Sequence, residues 1–276
     1  VSSAWGTVST FNPSLDGKVA VQAVCQSWAS IRAAAGNSYN YTGTGESIQL
    51  VACAGGATSN EWSYIRRAIF LFDTSSLGDG DIIDSATFGI TATDMVDDFS
   101  QSMSMVTSSP ASNTVLEAAD YAQLQTIQQA ADLPLAGFST DGATYNTWTL
   151  NTVGEGNISK TGISKFGLRI SGDRTNTEPT WSANDSSYVT WVSNEGTNRP
   201  RLIVTHSSPS AAITGTIGDG ATEAEVRAGG TIIITLTDAT WVADDGTFAA
   251  QRQNIIDGLD SAQSETYGWN AEVRDK

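Results

Sequence analysis

Three carboxylates fall within five positions at Asp94, Asp97 and Asp98, the densest acidic group in the sequence. Oxygen-rich loops of this kind hold hard cations such as Ca2+. Two carboxylates at a suitable separation also hydrolyse glycosidic bonds, but sequence spacing does not give that separation. A solvated loop is the expected role of these residues, with cation binding as the alternative. Serine-based catalysis needs a histidine held beside the serine, and the chain has one histidine, His206. It closes the strand-like stretch Arg201–Thr205 just before Ser207-Ser208-Pro209-Ser210, a poor place for a pre-oriented base. The G-x-S-x-G elbow is missing from the sequence. His206 is therefore expected at the surface or packed against a linker, and the protein is not expected to be an enzyme.

Aromatic residues offer a different chemistry. Planar rings stack on the apolar faces of sugars while polar neighbours fix orientation. Tyr39 and Tyr41 lie in the Gly- and Asn-rich stretch 36–45, which reads as a loop, and Trp62 and Trp181 lie at strand ends or in loops. These four are the candidate ligand platform, with core packing as the competing role for each tryptophan. Arg32, Arg66 and Arg67 lie in or beside strands, where arginine pairs with a carboxylate or stacks on an aromatic ring.

Cys25 and Cys53 are the only cysteines. Both fall in β-type stretches, 19–25 and 48–53, and adjacent strands would bring them together as a disulfide. Such a bridge removes loop entropy worth roughly 3 kcal/mol. Two cysteines without a partnering histidine do not complete a tetrahedral metal site.

The elements that must position these residues are mostly strands. In Ile65–Phe72 both faces are apolar, which requires burial between two layers. Ile82–Ala92 alternates Ala86, Phe88 and Ile90 against Ser85, Thr87 and Gly89, the mark of a half-buried strand. Further strands are expected at Met103–Val106, Tyr145–Leu150, Phe166–Ile170 and Arg201–Thr205, with a helical turn near Leu116–Tyr121. Residues 1–18 read as irregular, ending in a turn at Leu15-Asp16-Gly17. Many short strands with Gly, Pro and Asn punctuation and no βαβ alternation give an all-β fold, an antiparallel jelly-roll β-sandwich over residues 1–207. Residues 208–210 read as a linker. Residues 211–276 read as a small β domain with strands at Ala211–Ile217, Ala224–Ala228 and Thr231–Trp241. One helix follows from Thr247 to about Ser264.

Thirty acids against fourteen bases give a formal charge of −16. Phosphate backbones are bound through clustered Lys and Arg, so neither nucleic acid nor an anionic lipid surface is an expected partner. No run approaches the 18 apolar residues of a membrane span.

The segment Tyr64-Ile65-Arg66-Arg67-Ala68-Ile69-Phe70-Leu71-Phe72-Asp73-Thr74-Ser75-Ser76-Leu77, followed by Ile83-Asp84-Ser85-Ala86-Thr87-Phe88, resembles the signature of DNRLRE-type jelly rolls. Gly162–Arg169 and the closing Arg199–Thr205 match in order and spacing as well. These domains are relatives of carbohydrate-binding modules and of structural modules on cell surfaces and virions, including phage-like tail proteins. Residues 222–276 resemble the first half of an immunoglobulin-like module from the same setting. The resemblance implies a structural or adhesive module of a virion, tail or extracellular appendage, located outside the cell or on the virion surface. A polysaccharide-binding module is the alternative. Three strands and a helix leave a sheet edge uncovered in residues 211–276, so copies of the chain are the expected partner. The segment Val1–Ser14 is a candidate donated strand.

Overall fold

A computed structural model describes residues 6–22, 25–54 and 60–207. The chain divides after Ser210. The strands and helix expected in 211–276, and the immunoglobulin-like reading of that stretch, lie outside the described residues.

The described part is an antiparallel all-β sandwich. Its strands are β1 (Thr7–Phe11), β2 (Pro13–Val21), β3 (Gln26–Ser27), β4 (Ser38–Asn40), β5 (Gly45–Ala52), β6 (Glu61–Asp73) and β7 (Ile82–Asp97). They continue as β8 (Ser102–Ser108), β9 (Leu124–Gln128), β10 (Leu133–Pro134), β11 (Tyr145–Thr149), β12 (Ile163–Ile170), β13 (Ser186–Val192) and β14 (Arg201–Ser207). Short helices α1 (Trp28–Ala33), α2 (Thr152–Gly156) and α3 (Ser171–Thr175) sit between them, with a 3-10 turn at Ala118–Gln123.

Two long strands tie the layers together. The first half of β7 pairs β14 on one edge and β11 on the other, and β14 pairs β1, which makes one layer. The second half of β7 pairs β13, which leads through β5 to β6 in the other layer. β6 also pairs β2 and, further along, β12, which pairs β8. Between the layers runs a chain of rings: Phe138 to Trp148 at 5.9 Å, Trp148 to Phe88 at 5.6 Å, Phe88 to Phe70 at 5.0 Å, and Phe70 to Trp191 at 5.6 Å. Residues Ala68 to Phe72 are wholly buried, as apolar residues on both faces require.

The second layer is cross-linked by a buried ionic node. The Asp173 carboxylate in α3 accepts Nε and Nη2 of Arg67 from β6, both at 2.8 Å. It accepts the same two nitrogens of Arg169 from β12, again at 2.8 Å. Arg32 of α1 adds a third guanidinium at 3.2 Å. Arg67 lies 3.7 Å from the centre of the Tyr121 ring, whose hydroxyl donates to the Ile31 carbonyl at 3.0 Å. Burial alone pushes the Asp173 carboxyl up, but Arg67 and then Arg169 hold it well below the usual carboxylate range.

Four expectations need correction. The segment 1–18 is not irregular: its described part holds β1 and most of β2. Leu15-Asp16-Gly17 is not a turn but the buried middle of β2. Asp16 is kept there by Trp191 Nε1, which donates to Oδ2 at 3.1 Å, and by the Asn194 N–H, which donates to Oδ1 at 3.0 Å. Gly17 is required because the Asn40 carbonyl and Tyr41 lie where a Cβ would stand. Val1–Ser14 is not free for donation, since Thr7–Phe11 already pair with β14 of the same chain. The Gly/Asn stretch 36–45 is not all loop, because Ser38–Asn40 pair with β2. Cys25 and Cys53 form the expected disulfide, with Cα atoms 6.0 Å apart.

Asp16 sets a pH dependence. Burial, reinforced by Glu195 and Glu46, raises its carboxyl from 3.8 to about 6 despite the two donors. A raised acid favours the folded state below pH 4, and that contribution, about 3 kcal/mol, is lost as pH rises through 6. The stability difference between wild type and Asp16→Asn, measured by urea unfolding, is therefore expected to fall by about this amount between pH 4 and 7.5. A constant difference would contradict the assignment.

Candidate functional site

The exposed side chains of β1, β14, β7 and β11 form one surface. Strand alternation sends Ala86, Phe88, Leu202, Val204 and Trp148 into the core, so the intervening residues face outward. Register aligns Thr10, Ile203, Thr87 and Thr149 in one row across the four strands. Val8, Thr205 and Ser85 make a second row, and Arg201, Gly89 and Thr147 a third. Val8 is 62 % exposed. These rows contain no carboxylate, in a chain with thirty, and the one beside them, Asp84, accepts the Ser207 hydroxyl at 3.2 Å.

At one end the surface dips into an open depression of about 670 Å³ lined by Thr10, Asn12, Tyr145, Glu195, Arg199 and Arg201. Gly89 lies beneath the Tyr145 ring, where a Cβ would come within 3.1 Å of it. The Arg201 guanidinium lies 3.6 Å from the centre of that ring, and the Tyr145 hydroxyl donates to the Arg199 carbonyl at 2.9 Å. The loop carrying Glu195 and Arg199 is pinned by the Asn194 N–H on Asp16 and by Asn198 Nδ2 on the Gly142 carbonyl. Among the described residues neither Arg199 nor Arg201 has an ion pair, whereas Lys18, Arg32, Arg67, Arg169 and Arg174 do.

The sequence-predicted platform residues divide. Tyr39 is half exposed and stacks with Tyr41 at 6.2 Å and 11°. Trp62 is wholly buried, edge-on to Trp28 at 5.1 Å and to Phe99 at 5.3 Å, with its indole N–H on Glu178. It is a core residue rather than a platform. Trp181 is half-buried, packed on the core and anchored by its indole N–H to the Glu61 carbonyl at 2.8 Å. Tyr145, Arg199 and Arg201 were not singled out from the sequence, although Gly89 within an alternating strand is a signal of close approach. Of the flagged arginines, Arg66 stacks on Tyr64 at 5.0 Å, while Arg32 and Arg67 go to Asp173.

The acidic cluster does not converge. Asp94 accepts the Tyr188 hydroxyl at 2.9 Å, a contact that raises the tyrosine pKa. Asp97 accepts the Ser187 hydroxyl at 2.9 Å and the Gln101 N–H at 2.7 Å, and Asp98 accepts the Ser186 N–H at 3.0 Å. Each carboxylate sews the end of β7 to β13 separately. Among the described residues no group of three His, Cys, Asp or Glu is placed to hold a metal ion, and the calcium alternative for Asp94, Asp97 and Asp98 finds no cluster there.

His206 is not at the surface. It is 9 % exposed, with Nδ1 2.6 Å from Asp81 Oδ2 and Nε2 3.0 Å from Ser9 Oγ. β14 runs on to Ser207, so the histidine is inside the strand and faces the same side as Val204 and Leu202.

No protein-family model matches the chain, and no curated protein matches it.

Because Asp94, Asp97 and Asp98 are each taken up by protein donors, calcium and EDTA are expected to leave the melting temperature unchanged within about one degree. A rise of several degrees on adding millimolar calcium, reversed by EDTA, would contradict that arrangement.

Proposed function

We propose that the protein is a structural or adhesive module of an extracellular assembly such as a virion, tail or appendage. The observation that carries this reading is the outer surface of the β1, β14, β7 and β11 layer. Cores of protein interfaces are depleted of charge, and large uncovered apolar-leaning patches on soluble proteins mark contact surfaces. Here three aligned rows of Thr, Val, Ile and Ser, with Gly89 and Arg201, carry no carboxylate on a strongly acidic protein, whose net charge of −16 otherwise opposes self-association. The Cys25–Cys53 bridge supports an oxidising location, where such bonds persist. Among the described residues no helix is long and apolar enough to cross a membrane. The resemblance to DNRLRE-type jelly rolls points to the same setting.

The depression beside Tyr145 favours a second reading, recognition of a polysaccharide. The Arg201 guanidinium covers one face of the Tyr145 ring, so what the open groove offers a sugar is hydrogen-bond donors at its rim. Tyr39 and Tyr41 offer a second stacked pair.

Placing a charge in the middle of the proposed contact surface separates the two readings. Ile203→Asp and Thr87→Glu are expected to lower association of the chain at least tenfold in sedimentation or light scattering, with the melting temperature nearly unchanged. Tyr145→Ala is expected to leave that association intact and to reduce retention on a polysaccharide column. Association unaffected by either surface charge would overturn the structural reading.

A further inference from the structure

The chain's only histidine stands between a serine and an aspartate. We propose that Ser9 is an acyl-transfer nucleophile, with His206 as its general base and Asp81 as the residue that positions the imidazole. The substrate class is carboxylic esters. This adds a chemical activity to the structural role and does not rest on it.

The three residues come from distant parts of the chain, with Ser9 and His206 197 positions apart and His206 and Asp81 125 apart. With Nδ1 donating to Asp81 Oδ2, the lone pair of Nε2 is left toward Ser9 Oγ, which is the tautomer a general base requires. Asp81 is itself oriented, because the Gly78 N–H donates to Oδ2 at 3.2 Å and Lys160 Nζ donates to its backbone oxygen at 2.8 Å. Nucleophile, base and orienting group thus stand in hydrogen-bond reach in that order, the geometry that activates a serine. Asp81 and His206 are both under a tenth exposed, while Ser9 is half-buried and is the outermost of the three.

The edge of β1 supplies the remaining part. β1 pairs β14 on one side, and among the described residues no strand pairs the other. An antiparallel ladder uses the N–H groups of alternate residues on each edge. Ser9 itself, or Val8 and Thr10 beside it, therefore turns an N–H toward the open edge. A backbone N–H so placed stabilises the oxyanion of a tetrahedral intermediate. An ester suits an open strand edge better than an amide, because its leaving oxygen departs with less assistance than an amide nitrogen.

The step balances without further reagents. Ser9 Oγ forms a bond to the ester carbonyl carbon while its proton passes to His206 Nε2. Collapse of the tetrahedral intermediate breaks the bond to the alkoxy oxygen, which takes that proton and leaves as an alcohol. Water then adds to the acyl-serine by the same route, releasing the carboxylic acid and restoring Ser9.

A fluorophosphonate reporter tests this on the full chain, since phosphonylation joins Ser9 Oγ to phosphorus and expels fluoride. One label per chain on Ser9, mapped by peptide mass spectrometry, is expected, with parallel loss of p-nitrophenyl acetate hydrolysis. His206→Gln is expected to slow labelling at least a hundredfold. Asp81→Asn is expected to slow it at least tenfold and to alter its pH profile, with partial recovery in Asp81→Glu. A folded wild-type chain that takes no label on Ser9, or one labelled equally fast in His206→Gln, would overturn the proposal.

Discussion

The second layer of this sandwich depends on the Asp173 carboxylate. Three guanidinium groups meet on it or on its backbone oxygen, and the donors left over are also used. Arg67 Nη1 reaches the Tyr121 carbonyl at 2.6 Å, and Arg169 Nη1 reaches the carbonyls of Leu124 and Gln125 at 3.2 and 3.0 Å. One side chain thereby fixes α1, β6, the 3-10 turn, the start of β9, β12 and α3 relative to one another. Buried ion pairs contribute little net stability against a hydrophobic replacement, but removing one partner costs 3–5 kcal/mol because a charge is left stranded. The node acts mainly by permitting only one arrangement of these segments. Its carboxyl lies below the ordinary range, so its contribution is present above pH 4 and fades as pH falls further.

That use of charge shapes what the surface can do. Most arginines of the described part are consumed inside or paired, and the loop carboxylates of β7 are consumed in sewing β7 to β13. What remains outward in the aligned rows of the β1, β14, β7 and β11 layer is Thr, Val, Ile and Ser with Gly89 and Arg201, while Asp84 stands beside them and accepts the Ser207 hydroxyl at 3.2 Å. A face of that composition contacts a surface more readily than it transforms a solute. The Ser9, His206 and Asp81 line lies at the same layer's edge strand, so contact and chemistry would share one strand.

The sandwich was legible because burial on both faces leaves a continuous apolar run at Ile65–Phe72, and half burial leaves the alternation at Ala86, Phe88 and Ile90. β13 carries the same alternation, with Val189 and Trp191 buried and Tyr188, Thr190 and Val192 only partly so, yet it was not among the strands expected from the sequence. Asp16-Gly17 misled for a physical reason: the pair is a turn signal, but tertiary donors from Trp191 and Asn194 retain the carboxylate in a strand. The partner of Arg67 was not legible, because Asp173 lies 106 positions away in a Ser-Gly-Asp segment that looks like any turn. For His206 the strand that carries it was visible in the sequence, though not that the strand runs on past it, while Ser9 and Asp81 reach it only through the pairing of β1 with β14 and the turn before β7.

The central claim is that the outer surface of the β1, β14, β7 and β11 layer is where the protein meets its partner. Hydrogen exchange of the chain, free and associated at high concentration, tests it without any substitution. The account predicts added protection in Thr7–Phe11, Tyr145–Thr149 and Arg201–Ser207, with β8, β9 and β12 unchanged. Association with protection confined to Ser102–Gln128, or none in the three predicted strands, would contradict it.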